Sequence, residues 1–95
     1  MCRVGVRYRC RKAWHPATAV DLSERGCRLR LGEDLERGTS VPLRFEHPER
    51  GDAPGVCLEA EALVVWTRHE GLSYQAGSLF PSPPPGLQAL LEAIR

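Results

Sequence analysis

From Cys2 to Cys10 apolar and polar positions alternate without a break. Cys2, Val4, Val6, Tyr8 and Cys10 fall on one side, and Arg3, Gly5, Arg7, Arg9 and Arg11 on the other. A period of two sustained this long predicts a strand with one packed face and one basic face. Arg11–Pro16 reads as a hairpin connection or an irregular approach to the next strand, because Pro16 is unsuited to a central ladder position. Thr18–Asp21 continues as a second strand. Cys27–Leu31 alternates again, with Cys27, Leu29 and Leu31 inward and Arg28 and Arg30 outward. Gly32–Gly38 suits a turn with one helical turn around Leu35. Ser40–Phe45 is a fourth strand with Val41, Leu43 and Phe45 inward, and Pro42 within it argues for an edge or bulged position. His47–Gly55 is a loop rich in Pro and Gly.

The longest β-like run is Val56–Thr67, where Val56, Leu58, Ala60, Ala62, Val64 and Trp66 share one parity. Leu63–Trp66 is apolar on both faces, as expected where something covers the second face. His69–Gly71 supplies a hairpin turn, and Leu72–Phe80 returns as a sixth strand in which Gly77 allows a close approach or bend. The proline cluster Ser82–Gly86 stops the sheet. Leu87, Leu90, Leu91 and Ile94 then recur at helical spacing. A helix this short must dock, at a mouth or flank of the sheet, on the apolar face near Trp66, or on another protein. Six short antiparallel strands and one terminal helix describe a single all-β domain over residues 1–95, a small barrel or sandwich.

Composition narrows the function. No apolar run reaches membrane-spanning length, and the alternating N-terminus does not resemble the apolar core of a signal peptide, so a cytoplasmic protein without membrane insertion is expected. The net charge of +1 hides an asymmetry: residues 1–30 sum to +6 and residues 31–95 to −5. Segregation of this kind favours a local anion site over wholesale coating of DNA. The four cysteines form no metal-like spacing and the three histidines are scattered, so neither a metal nor a cofactor is expected. No nucleophile–base–acid set or phosphate loop can be assembled, and no enzyme is expected.

The candidate chemistry gathers at Asp21-Leu22-Ser23-Glu24-Arg25-Gly26. Asp and Ser bond nearby backbone N–H groups, and Gly reaches the positive φ of a tight corner. The hexamer therefore reads as a rigid turn presenting one carboxylate and one hydroxyl at a strand end. Arg7 and Arg11 share the outer face of the first strand about 13 Å apart, a span suited to an anion larger than one phosphate.

Several features taken in order resemble the PilZ domain family. They are D-x-S-x-x-G at Asp21–Gly26 followed by Cys27-Arg28-Leu29, the turn Leu35-Glu36-Arg37-Gly38 before a strand, Ala62–Trp66 ending the long strand, and Tyr74–Phe80 after it. The resemblance covers nearly the whole chain. It implies a six-stranded antiparallel barrel of the split-barrel type and a bacterial signalling module that binds cyclic di-GMP and acts through protein partners. It also implies that Asp21, Ser23 and Gly26 contact a guanine edge, and that an R-x-x-x-R segment holds phosphates. Arg3 to Arg7 and Arg7 to Arg11 both match that segment literally, but within or against the first strand rather than in an arm ahead of it. The site residues implied are thus Arg3, Arg7, Arg11, Asp21, Ser23 and Gly26. The alternative is a member that keeps the barrel without the nucleotide site and serves as a protein-interaction adaptor, for instance in pilus-based motility.

Overall fold

The alternation builds six strands that close on themselves. The computed structural model describes residues 4–49, 51–52 and 55–94, so Cys2 and Arg3 lie outside the described residues. The strands are β1 (Val4–Cys10), β2 (Ala13–Leu22), β3 (Gly26–Leu31), β4 (Ser40–His47), β5 (Val56–Glu70) and β6 (Ser73–Leu79), followed by α1 (Leu87–Ala93). All neighbours are antiparallel, in the closed order β1-β2-β3-β6-β5-β4. Full closure leaves no long free edge, which a sheet of this size otherwise has to protect.

Alternate residues fill the barrel. Val4, Val6 and Tyr8 of β1, Leu29 of β3, Leu43 and Phe45 of β4, and Ala62 and Val64 of β5 join one buried cluster. Phe45 meets Phe80 edge-on at 6.4 Å between ring centres. The terminal helix supplies Leu87, Leu90 and Leu91 to the same cluster, and it packs on β5 with Gly86 against Leu58. Leu90 is fully buried, a side chain whose removal from water stabilises by roughly 2 kcal/mol. The helix therefore docks at the barrel end where β5 begins and β6 finishes. The apolar face near Trp66 stays uncovered, with Trp66 39% and Leu79 47% exposed.

Pro16, expected in the connection before the second strand, sits inside β2, and Pro42 lies within β4 as expected. Pro16 pairs with Arg7 in a ten-residue β2, and Pro42 pairs with Glu61. Each is locally at an edge. β3 reaches along β2 only to Thr18, and β1 reaches along β4 only to Leu43, so a missing N–H costs no bond on the far side. The connection before β2 is shorter than expected: Arg11 and Lys12 form a two-residue turn with φ of 53° and 66°. That is the primed hairpin geometry, here without the Gly or Asn that normally marks it. Residues 32–39 form turns and bends around buried Leu35, with no helical turn.

Candidate functional site

Two β-bulges govern the outer face at one end of the barrel. On β2 the register passes from Ala19↔Leu29 to Asp21↔Arg28, so Val20 is the extra residue. Ala19 and Val20 are both buried, and Asp21, which strict alternation would send inward with Ala19, is turned out. On β5 the register passes from Val64↔Ser78 to Trp66↔Gly77, with Val65 extra. Val64 stays in the core and Trp66 leaves it, which corrects the shared parity expected from the sequence. A bulge re-aims the side chains beyond it. Here two of them aim a carboxylate and an indole at the same surface.

The pairings align these residues in one row across four strands: Asp21 on β2, Arg28 on β3, Gly77 on β6 and Trp66 on β5. At normal strand spacing the row spans about 14 Å. Gly77 is essential to it, because a Cβ there would fall on the indole nitrogen of Trp66. The ring lies down over the glycine, and Arg68 stands 6.0 Å from the ring centre, held by Glu70 at 3.0 Å and Gln75 at 3.2 Å.

The Asp21–Gly26 turn closes the row at its β2–β3 side. The Ser23 N–H donates to the Gly26 carbonyl at 2.9 Å, and the Arg25 N–H donates to the Ser23 hydroxyl oxygen at 3.3 Å. The hydroxyl itself reaches the Gly26 carbonyl at 3.5 Å. Ser23 thus braces the turn and keeps one acceptor site over. Gly26 is needed for a different reason than the one anticipated. Its φ is not positive; instead a Cβ would strike the Ser78 carbonyl and crowd the Leu79 backbone. β3 and β6 approach so closely there that only hydrogen fits. The Phe80 N–H, donating to the Arg25 carbonyl at 2.7 Å, and the Ser78 hydroxyl, donating to the Cys27 carbonyl at 3.1 Å, fasten the same corner.

Between the turn and the β5 bulge lies an open cleft of about 440 Å³, with Asp21, Ser23, Arg25 and Arg28 on one side and Val65, Trp66 and Leu79 on the other. This is within the size range of small-ligand sites. Asp21, Arg25 and Arg28 form no ion pair among the described residues. Arg28 Nε is the one buried side-chain nitrogen or oxygen among them that lacks a hydrogen-bond partner. The cleft therefore combines a carboxylate acceptor, two guanidinium forks and an aromatic wall. It can receive a planar, donor-bearing group together with an anion.

The arginines expected from β1 lie elsewhere. Arg3 is outside the described residues. Arg7 is exposed in mid-strand opposite Pro16, five residues or about 17 Å along β2 from Asp21. Arg11 belongs to the far end of the barrel, where it meets Glu33 at 2.7 Å. There the other Glu33 oxygen accepts the Tyr8 hydroxyl at 2.7 Å. Burial, reinforced by Glu33, pushes the Tyr8 phenol well above its ordinary pKa. The Tyr8 hydrogen bond, with help from Arg11, holds the Glu33 carboxyl below its own. Arg25, Arg28, Trp66 and Gly77 line this cleft but are not among the residues expected from the sequence. The signal for Trp66 was present in Leu63–Trp66, whose apolar run on both faces marks a broken alternation.

The PilZ domain family model matches residues 1–94. The chain belongs to the PilZ domain family. PilZ domains are non-enzymatic signalling modules that bind cyclic di-GMP or serve as adaptors, and the closed six-stranded barrel with one short terminal helix agrees with that membership. Comparison with curated proteins and with solved structures returned no match. Among the described residues, no helix of this PilZ domain is long and apolar enough to cross a membrane.

Proposed function

We propose that this PilZ domain is a receptor for cyclic di-GMP, seated in the cleft between the Asp21–Gly26 turn and the β5 bulge. The row Asp21–Arg28–Gly77–Trp66 carries the reading. A guanine has N–H donors on one edge and O6 and N7 acceptors on another. The Asp21 carboxylate accepts from the first, and the guanidinium of Arg28 or Arg25 forks onto the second or onto phosphate. Trp66 and Leu79 supply the apolar wall a base needs. Arg3 lies outside the described residues, and its assignment to a phosphate rests on the family resemblance. Arg7 and Arg11 have no part in this seat. The ligand covers Trp66 and Leu79 and thereby changes the surface offered to a protein partner.

A second reading, an adaptor that binds no nucleotide, is favoured by one observation: Arg7 and Arg11 stand well away from the turn. Calorimetric titration with cyclic di-GMP separates the two. Saturable binding that weakens about tenfold or more in Asp21→Ala and in Arg28→Ala, and is unchanged in Arg7→Ala and Arg11→Ala, supports the receptor. Absence of heat at millimolar ligand leaves the adaptor.

A further inference from the structure

Away from the cleft, the line where β1 meets β4 carries a charge pattern of its own. Among the described residues three pairs close the barrel here, Val6↔Phe45, Arg7↔Arg44 and Tyr8↔Leu43, where every other neighbouring pair of strands has four or more. Arg7 and Arg44 thus face each other on the outer surface, which is unfavourable between like charges. Arg44 is relieved by Glu59, which accepts from its Nε at 3.1 Å and from a terminal nitrogen at 2.8 Å, and its guanidinium lies 4.5 Å over the Trp14 ring. Arg7 and Arg9 are exposed and join no ion pair among the described residues. Open clefts of about 260 Å³ beside Arg7 and 530 Å³ beside Arg9 border Arg44.

The charges on the two sides of β4 match row for row. Arg7 pairs with Arg44, which pairs with Glu59, so Arg7 and Glu59 share a row. Arg9 follows Tyr8, the partner of Leu43, and Glu61 pairs with Pro42, so Arg9 and Glu61 share the next. Both walls repeat every second residue, about 6.7 Å. One wall is basic and the other acidic, in the same register.

We propose that this seam is a homodimer interface, its occupant a second copy of the chain docked face to face about a two-fold axis running along β4. Rotation about that axis leaves each row at its own height and exchanges the walls, while on the axis itself Arg44 meets its own copy, each already neutralised by Glu59 of its own chain. Arg7 then meets the partner subunit's Glu59 and Arg9 the partner subunit's Glu61, and both contacts repeat in reverse. A two-fold interface requires this kind of self-complementarity. A nucleic-acid backbone fits less well, since Glu59 and Glu61 would repel it and the Trp14 face is already taken by Arg44. Exposed ion pairs contribute little each, so the dimer is weak and sensitive to salt.

The test is sedimentation of the full chain at high protein concentration. Dimer is expected at low ionic strength, with a dissociation constant that rises about tenfold between roughly 0.05 M and 0.5 M salt. Arg7→Glu with Arg9→Glu makes both walls acidic, and Glu59→Arg with Glu61→Arg makes both basic. Each variant, checked for fold by circular dichroism, is expected to be monomeric alone, and their equimolar mixture to dimerise. A wild-type chain that stays monomeric at low salt overturns the proposal. So does a folded variant that dimerises by itself, or a mixture of the two folded variants that remains monomeric.

Discussion

The two ends of the barrel use the same residue types and leave them in opposite states. At the end formed by the β1–β2 turn, an arginine, a carboxylate and an aromatic hydroxyl satisfy one another: Arg11 and Tyr8 divide the two oxygens of Glu33. At the other end a carboxylate, two arginines and an indole share one surface, and none of the charges joins an ion pair among the described residues. The first arrangement holds a hairpin whose two central residues both have positive φ. The second is kept in place by backbone devices, two bulges and two glycines, so its side chains remain free for an outside partner. Composition alone does not separate a structural charge cluster from a binding one. What separates them is whether the local backbone or the side chains themselves do the holding.

That contrast can be broken, most severely at Gly26. Gly26→Ala drives a methyl into the Ser78 carbonyl, a backbone atom that cannot swing aside, and is expected to cost about 3 kcal/mol or more in urea unfolding. Gly77→Ala meets a side chain instead. It is expected to cost about 1 kcal/mol, to lift the indole of Trp66 off the sheet and to weaken nucleotide binding by more than its stability loss explains. A change in affinity no larger than that of a remote variant of equal stability would mean that the indole has no role in the cleft.

The opposite end should respond in stability and in pH, and leave the cleft alone. Tyr8→Phe removes one hydrogen bond to a carboxylate and is expected to lower stability by about 1 kcal/mol at neutral pH. Because folding raises the phenol's pKa, its contribution is complete below pH 10 and fades as the pH climbs through the folded value. Glu33→Gln is expected to have the smallest effect and the opposite window. Folding lowers this carboxyl's pKa, so the wild-type advantage is present above about pH 4.5 and disappears as the pH falls through the lower folded value. A gap in melting temperature that widens on acidification would contradict the Tyr8–Glu33–Arg11 account.

The strand count was legible because alternation over Val4–Cys10, Gly26–Leu31 and Val56–Val64 depends only on local sequence. The turn at Asp21–Gly26 was legible for the same reason. The bulges were not, since an extra residue at Val20 or Val65 is defined by a partner strand far away in the chain. The misread orientation of Trp66 follows from the second of them. Pro16 misled in a related way, because the rule against proline in a ladder applies where a strand has neighbours on both sides. Pro16 sits just past the end of β3, as Pro42, expected at an edge, sits past the end of β1. The Arg11–Lys12 turn carried no local mark, because a long-range contact to Glu33 braces a backbone shape its own residues disfavour.

The position of Trp66 also makes the molecule its own optical instrument. The chain has two tryptophans, Trp14 half-buried beneath a guanidinium and Trp66 lying open on Gly77. With Trp14→Phe, all remaining indole emission comes from a ring at the edge of the cleft. Its wavelength then reports, without any attached dye, whether water or something drier lies against that wall.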